Sequence, residues 1–542
     1  MDDTELRALF PSESDLAQGT SPTIAPVHQR RTLVGGELIP WTGRTVPVLS
    51  AVCARQADGS LRQLEIGSYP SGGAAEAEAA LNAAAAAYDH GRGPWPTMTA
   101  GERISCMQDF VARMAKHRST IVELLMFEIG KSRVDSEKEF DRTIEYIRAT
   151  IEALKALDNE NSRFHIVEGT IGQIRRTPLG VVLCMGPYNY PLNETFATLI
   201  PALIMGNTIV LKPPRYGALI FDALLEAFQA AFPKGVVNTI YGSGAEVVPL
   251  LLESGQVNAL TLIGSSRVAD HLKKLHPKVN RLRAILGLDA KNAAIVLPDA
   301  DIKLAVRECL LGSLSFNGQR CTALKILIVH EEIVDAFAQQ FVRELEKLIL
   351  GMPWHDGVSI TPLPDLNKVQ YMLDLLSDAQ VHGAKILNRR GGARAGTLFY
   401  PAVVYPVTEA MRLYREEQFG PVVPIMPFKD VETALEYVVT SDHGQQVSIF
   451  TSSPDEVGRL VDPLVNQVCR VNINCQCQRG PDVFPFTGRK DSAEGTLSVT
   501  DALRSFSIRS MIAAKQTEAS KALLREVVQQ RRSKFVSTDF LF

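Results

Sequence analysis

The sequence predicts an α/β protein of two or three packed domains, and three observations carry that reading. Its 542 residues exceed what one hydrophobic core holds. Short apolar runs alternate with helix-length segments, the pattern of parallel strands joined by crossover helices. That alternation occurs twice along the chain. Composition is ordinary for a globular chain, with 46% hydrophobic and 22% charged residues and a formal net charge of −3, which carries no basic footprint for nucleic acid. The most apolar stretch, FATLIPALIMGNTIVL, is broken by Pro201, Gly206 and Asn207. It falls short of the roughly 20 apolar residues that span a bilayer and reads as core, so no membrane association is expected. MDDTELRALFPSESDL lacks a basic region followed by an apolar one, so a cytoplasmic location is expected.

Taken in order, residues 1–31 show little periodicity and several Ser, Pro and Gly, and read as a loosely held arm. SGGAAEAEAALNAAAAAYDH, from Ser71, is rich in strong helix formers, and GERISCMQDFVARMAKH repeats apolar residues at spacings of three and four; helices therefore dominate the first part. VVLCMG, NTIVLK, VVNTIYG and ALTLIG form the first strand series. AAIVLP, LKILIV, PAVVYP and VVPIMPF form the second, with HEEIVDAFAQQFVRELEKL as an intervening helix. Near the end, apolar residues at 519, 523, 524, 527 and 528 predict an amphipathic helix over residues 516–532.

The eight cysteines are scattered, so free thiols are expected. Cys475 and Cys477 read as one face of a strand, VNINCQC, but no CxxC or neighbouring His completes a metal set, and no metal is expected. Cys321, in FNGQRCTALK, is open to three readings: buried filler, ligand or nucleophile. Arg320 beside it offers a cation, and Gly318 allows a close backbone approach. In parallel α/β sheets, ligands bind beyond the carboxyl ends of the strands. There MGPYNYP presents Asn189 between two prolines, LKPPRYG offers Lys212 and Arg215, and YGSG and LIGSS expose backbone N–H groups without forming a full GxGxxG.

PYNYP, LKPP, LIGSS, FNGQRC, EEQFGP and PFTGRKDS, in that order between about residues 32 and 512, resemble the aldehyde dehydrogenase superfamily. FNGQRCTALK and QRGPDVFPF most resemble its NADP-dependent non-phosphorylating glyceraldehyde-3-phosphate dehydrogenases. The resemblance implies a Rossmann-like cofactor domain (32–159 and 178–286), an α/β catalytic domain (287–499) and a small oligomerisation element (160–177 and 500–512). A homodimer or homotetramer would follow. A C-terminal tail (513–542) is longer than the family's usual ending, and its Phe535, Phe540 and Phe542 suggest docking on a neighbouring subunit.

The resemblance also implies roles. Cys321 would be the nucleophile, with the Asn189 amide and its own N–H holding the oxyanion. Lys212 would meet the adenosine ribose, Gly264 and Ser265 the pyrophosphate, Glu417 the nicotinamide ribose, and Phe419 the nicotinamide's surroundings. Arg215 stands where many NAD-preferring relatives carry an acid, so NADP is favoured over NAD. Arg142, Tyr190, Arg320 and Arg479 would grip the phosphate of a small anionic aldehyde. One departure stands out. Where hydrolytic members place a general-base glutamate within ELGGK, this chain reads ILGLDAKNAAIVL, with Gly287 at that position and Asp289 two residues on. Three readings follow: a hydrolytic dehydrogenase with Asp289 or another carboxylate as substitute, a coenzyme A-acylating dehydrogenase, or a protein that binds aldehyde and cofactor with little turnover.

Overall fold

The runs read as strands are strands, buried on both faces. In the computed structural model, which describes residues 3–539 and Leu541, all five positions of Val181–Met185 are buried. Alternate side chains face different cores: Val181, Leu183 and Met185 pack with Ala77, Leu81 and Ala84, whereas Val182 and Cys184 pack with Phe196 and Leu199. That period of two explains why the strand is apolar throughout. It lies third in a six-stranded sheet ordered Val237–Thr239, Thr208–Lys212, Val181–Met185, Val257–Ile263, Arg283–Gly287 and Ala493–Glu494. Pairing is parallel except at the last, short edge.

A second sheet of seven strands runs Lys385–Ile386, Ala402–Tyr405, Val422–Phe428, Ile326–His330, Ala293–Val296, Gln446–Phe450 and Arg470–Ile473. The apolar stretch at 196–211 divides into a helix, Asn193–Ile204, buried at every residue, and the strand Thr208–Lys212. Helix Ala100–Met114 starts as its sequence directs: Thr99 accepts from the N–H of Glu102, whose carboxylate returns to the Thr99 N–H, a capping box. A third, antiparallel sheet joins Phe164–Val167, Thr170–Pro178 and Ser507–Lys515. Its outer positions include exposed Ile166, Val167, Ile508 and Met511. Among the described residues, no helix is long and apolar enough to cross a membrane.

Several expectations need correction. Helices do fill the first part from Ala74 to Asn161, but a long antiparallel pair that was not expected, Thr45–Arg55 with Leu61–Pro70, precedes them. The segment read as a loose arm is packed: helix Asp3–Ala8 buries Leu6, and Leu6 and Phe10 join the core that holds Val296 and Phe337. Cys475 and Cys477 do not share a strand, which ends at Ile473. Cys477 is buried beside Ser448 at 3.3 Å, while Cys475 is half-buried. The terminal helix spans Glu518–Gln529 with no buried residue. The chain beyond it returns to its own body, where the Ser537 carbonyl accepts from Gln173 at 2.7 Å and Arg175 at 2.9 Å. Phe535 is half-buried; Phe540 and Phe542 lie outside the described residues.

Candidate active site

Cys321 sits in the loop between helix Ile302–Leu314 and strand Ile326–His330. Three successive residues before it, Phe316, Asn317 and Gly318, have φ of 48°, 56° and 70°. A Cβ at Gly318 would lie 2.7 Å from the carbonyls of Gly420 and Ser313, so glycine is required for this tight passage. Side chains pin the loop: Asn292 donates to the Cys321 carbonyl at 2.8 Å, and the buried Lys325 ammonium donates to the Gly318 carbonyl at 3.0 Å.

Desolvation pushes the Cys321 thiol above its usual range, the Glu417 carboxylate adds to the rise, and Lys325, Gln445 and lastly Arg320 oppose it. Arg320 acts in the expected direction, but as the smallest of these influences. Its guanidinium donates to Gly312 O at 2.9 Å and lies 3.4 Å from Gln476, and Lys325 is the stronger cationic influence.

Asn189 is buried, and its Nδ2 donates to the Gln319 carbonyl at 2.7 Å. Its own carbonyl accepts from the buried Lys131 ammonium at 2.7 Å. Lys131 is paired with Glu139, whose other oxygen accepts from the N–H groups of Leu192 and Asn193, each at 3.1 Å. This buried pair clamps the proline-flanked loop.

A cavity of about 710 Å³ joins Asn189, Cys321, Gly264, Ser265, Gly287, Asp289, Glu417 and Phe419. Gly186, Pro214 and Arg267 also line a second cavity, of about 700 Å³, walled by Lys212, Val248, Leu262 and Leu272. Lys212 hydrogen-bonds to its neighbour's carbonyl, Pro213 O, at 3.2 Å, and burial lowers its pKa to about 8. An apolar slot beside such an ammonium, leading to a cavity with an orphaned buried oxygen, Glu417 Oε1, suits a phosphorylated dinucleotide. Arg215 is exposed, stacks 5.2 Å from the Tyr216 ring and borders the Cys321 cavity, not the one beside Lys212. Arg267, in the first turn of helix Ser266–Leu275, borders both.

The strand carrying Gly287 ends there, so Asp289 is not two residues further along it as expected. Its carboxylate accepts from the Ser266 N–H at 2.7 Å and the Ser266 hydroxyl at 2.8 Å, which commits it to the start of helix Ser266–Leu275. A Cβ at Gly287 would make ordinary contacts with Ile263 at 3.4 Å and Leu497 at 3.5 Å. Arg142 forks onto Asp482 at 2.6 and 3.0 Å. Arg479 is buried between Glu194 and Asp482, the latter at 3.3 Å. The Tyr190 ring lies 3.6 Å from the Lys131 ammonium. Among the described residues, no cluster could hold a metal ion.

Residues 59–512 match the model of the aldehyde dehydrogenase family. The chain belongs to that family. It is 34% identical over 464 residues to an NADP-dependent glyceraldehyde-3-phosphate dehydrogenase of Streptococcus equinus, covering 84% of this chain and 93% of that protein. It is 30% identical over 414 residues to a 3-sulfolactaldehyde dehydrogenase of Priestia aryabhattai, covering 74% and 83%. The crystal structure of NADP-dependent glyceraldehyde-3-phosphate dehydrogenase from Bacillus halodurans, complexed with NADP, superposes with a TM-score of 0.81 at 30% identity, covering 90% of this chain and all of that one.

Within this aldehyde dehydrogenase, four neighbours of the site escaped sequence reasoning although they stand inside or just after quoted motifs. Lys325 lies four residues past Cys321, Asp482 lies within QRGPDVFPF, Glu194 follows PYNYPLN, and Arg267 follows LIGSS. Lys131 had a weaker signal, a lone lysine just past the Gly130 cap of the apolar helix Arg118–Ile129.

Proposed function

We propose that the chain is an NADP-dependent aldehyde dehydrogenase that oxidises a small anionic aldehyde, of the glyceraldehyde 3-phosphate kind, to its carboxylic acid. The carrying observation is that the Cys321 thiol and the Asn189 amide meet in one cavity, which continues past Pro214 and Arg267 to the apolar slot at Lys212. In this reading the Cys321 thiolate attacks the aldehyde carbon. The oxyanion is held by the Cys321 N–H and by the second N–H of Asn189, since the amide has two donors and Gln319 takes one. Bound NADP⁺ supplies the hydride acceptor. Lys212 and Arg267 would hold its adenosine-side phosphate, Gly264 and Ser265 the pyrophosphate, Glu417 the nicotinamide ribose, and Phe419 a wall of the nicotinamide site. Loss of hydride leaves a thioester on Cys321, and attack by water breaks its C–S bond.

Substrate anion binding is assigned to Arg142, Tyr190, Arg320 and Arg479. Two of these guanidiniums already face Asp482 and Glu194. The substrate's charge therefore relies on the donors that Arg142 does not spend on Asp482 and on Arg320, whose buried Nε has no partner. Planar guanidinium forks accept sulfonate as readily as phosphate, so a sulfonated aldehyde is the second substrate reading, favoured by the likeness to the 3-sulfolactaldehyde enzyme. Coenzyme A as acyl acceptor is the alternative that Gly287 supports, and aldehyde binding with little turnover is the third reading. Pairing through the sheet at 507–515 would make a homodimer or homotetramer, and eight free thiols fit a cytoplasmic enzyme.

The test follows NADPH in the first and later turnovers with glyceraldehyde 3-phosphate and NADP⁺, with and without coenzyme A, and in Cys321→Ala. Sustained turnover without acceptor, abolished in the variant, is expected. A single burst rescued by coenzyme A would establish the acylating reading. No NADPH from phosphorylated or sulfonated aldehydes would reject the proposal.

A further inference from the structure

Gly287 leaves the proposed thioester without a base, yet three other carboxylates share the cavity with Cys321: Glu194, Asp289 and Glu417. Their partners separate them. Glu194 is paired with the buried Arg479 guanidinium, and drawing it away would strand that cation in a site only 5% exposed. Asp289 is fixed by two hydrogen bonds to Ser266. Glu417 is different. Its side chain is 12% exposed, Lys325 stands 3.5 Å away, and Oε1 is buried without a hydrogen-bond partner. Its loop is rigid: Lys291 donates to Glu416 O at 2.7 Å and Gln418 Oε1 at 2.8 Å, and Gln418 donates to Lys325 O and Val422 O, each at 2.9 Å.

We propose that Glu417 is the general base of deacylation, taking a proton from the water that attacks the Cys321 thioester. This rests on the Cys321 reading above and adds a second task to the ribose contact assigned to the same side chain. A carboxylate has two oxygens and several lone pairs, so the two tasks need not compete for one atom. The step balances. The water oxygen bonds to the acyl carbon as its proton passes to Glu417, the tetrahedral adduct collapses with cleavage of the C–S bond, and the acid leaves. The thiolate returns to Cys321, and Glu417 gives its proton to solvent.

Desolvation raises the Glu417 carboxyl to about 7, and the Asp289 charge adds to the rise, while Lys325, Lys291 and a backbone N–H oppose it. Tyr188, Tyr371 and Lys368 also face this charge. A base matched to neutral pH is the efficient one. The same carboxylate raises the pKa of Cys321, so removing its charge should ease ionisation of the thiol.

p-Nitrophenyl acetate tests this without aldehyde or cofactor, because it acylates a reactive thiol directly and releases coloured nitrophenolate. The wild-type enzyme should give a burst from Cys321, absent in Cys321→Ala, then steady turnover that rises with pH through about 7. Glu417→Gln should keep the burst, lose about 10²-fold or more of the steady rate, lose the pH dependence, and regain turnover with hydroxylamine, which needs no base. Its Cys321 should also alkylate with iodoacetamide at lower pH than in the wild type. Asp289→Asn should stay within about threefold of wild type. An unchanged steady rate in Glu417→Gln overturns the proposal, as does a collapse confined to Asp289→Asn. Failure of the aldehyde assay alone would reject the dehydrogenase reading and leave this outcome legible.

Discussion

Two arginines beside the Cys321 cavity, Arg142 and Arg479, face carboxylates, whereas those beneath the C-terminal tail face main-chain carbonyls. In the cleft, Arg142 and Arg479 share Asp482, and Arg479 also meets Glu194. Under the tail, a cavity of about 520 Å³ is lined by Arg103, Arg175, Arg176 and Lys534. There Arg103 is buried, its pKa lowered to about 10 by desolvation; it donates to Ile204 O at 2.7 Å and to Met98 O. Arg175 donates to Ser537 O at 2.9 Å, with Asp158 more distant at 3.5 Å. The difference teaches that the same residue type does two jobs here. Ion-paired guanidiniums are held in place by carboxylates, and carbonyl-bound ones brace segments distant in sequence.

The largest effect should come from breaking the cleft's buried pair. Arg479→Met leaves the Glu194 carboxylate, 8% exposed, without its cation. Breaking such a pair from one side costs about 3–5 kcal/mol, far more than the pair's net worth. Urea denaturation should show that loss, and adding Glu194→Gln should recover much of it, giving a coupling energy in a double-mutant cycle. A loss below about 1 kcal/mol would mean that the pair is effectively solvated, and the contrast with the tail would fail.

Smaller, on the order of 1 kcal/mol, should be the effects of two aspartates that respond to acid in opposite senses. Burial pushes Asp482 up, but hydrogen bonds and charge from Arg142 and Arg479 outweigh it and hold the carboxyl below its usual range. Its stabilisation is therefore complete above the unfolded value, near 4, and is lost as pH falls through the folded one. Burial raises Asp158, with Arg175 and Arg103 opposing only in part, so the folded protein takes up that proton more readily and acidification from neutral pH favours it. Asp482→Asn should lower stability at pH 7 and Asp158→Asn should not. Both differences from wild type should shrink on acidification, Asp158→Asn first. Parallel pH profiles would refute the distinction.

Much of this was legible in the sequence, and the reason differs by region. Strands such as Val181–Met185 announce themselves because both faces are buried and every residue must be apolar. FNGQRC and PYNYP were legible as chemistry only through the family they resemble, since their residues alone left Cys321 open among filler, ligand and nucleophile. What escaped was set by partners remote in sequence: Glu194 and Arg479 are 285 residues apart, and Asp289 meets Ser266 across 23. The packed N-terminal segment escaped for a related reason. Leu6 and Phe10 are two apolar residues in a polar stretch, and their significance depends on a core built from residues beyond 290. The long pair Thr45–Arg55 with Leu61–Pro70 carries bulges, which break the alternation that reveals strands.

The smallest effect should be at Lys534, and it sharpens the comparison by separating charge from bracing. Lys534 lies 2.8 Å from Glu102, but the two side chains are 54% and 46% exposed. Such pairs contribute about 0–1 kcal/mol and fade with salt. Lys534→Ala should therefore leave the tail docked, with amide exchange at 535–539 within about threefold of wild type and insensitive to added salt. Arg175→Gln removes the donor to Ser537 O, and the same amides should exchange faster at every salt concentration. If Lys534→Ala released the tail and Arg175→Gln did not, surface charge and not main-chain bracing would hold the C-terminus. The two arginine-lined regions would then differ in burial alone.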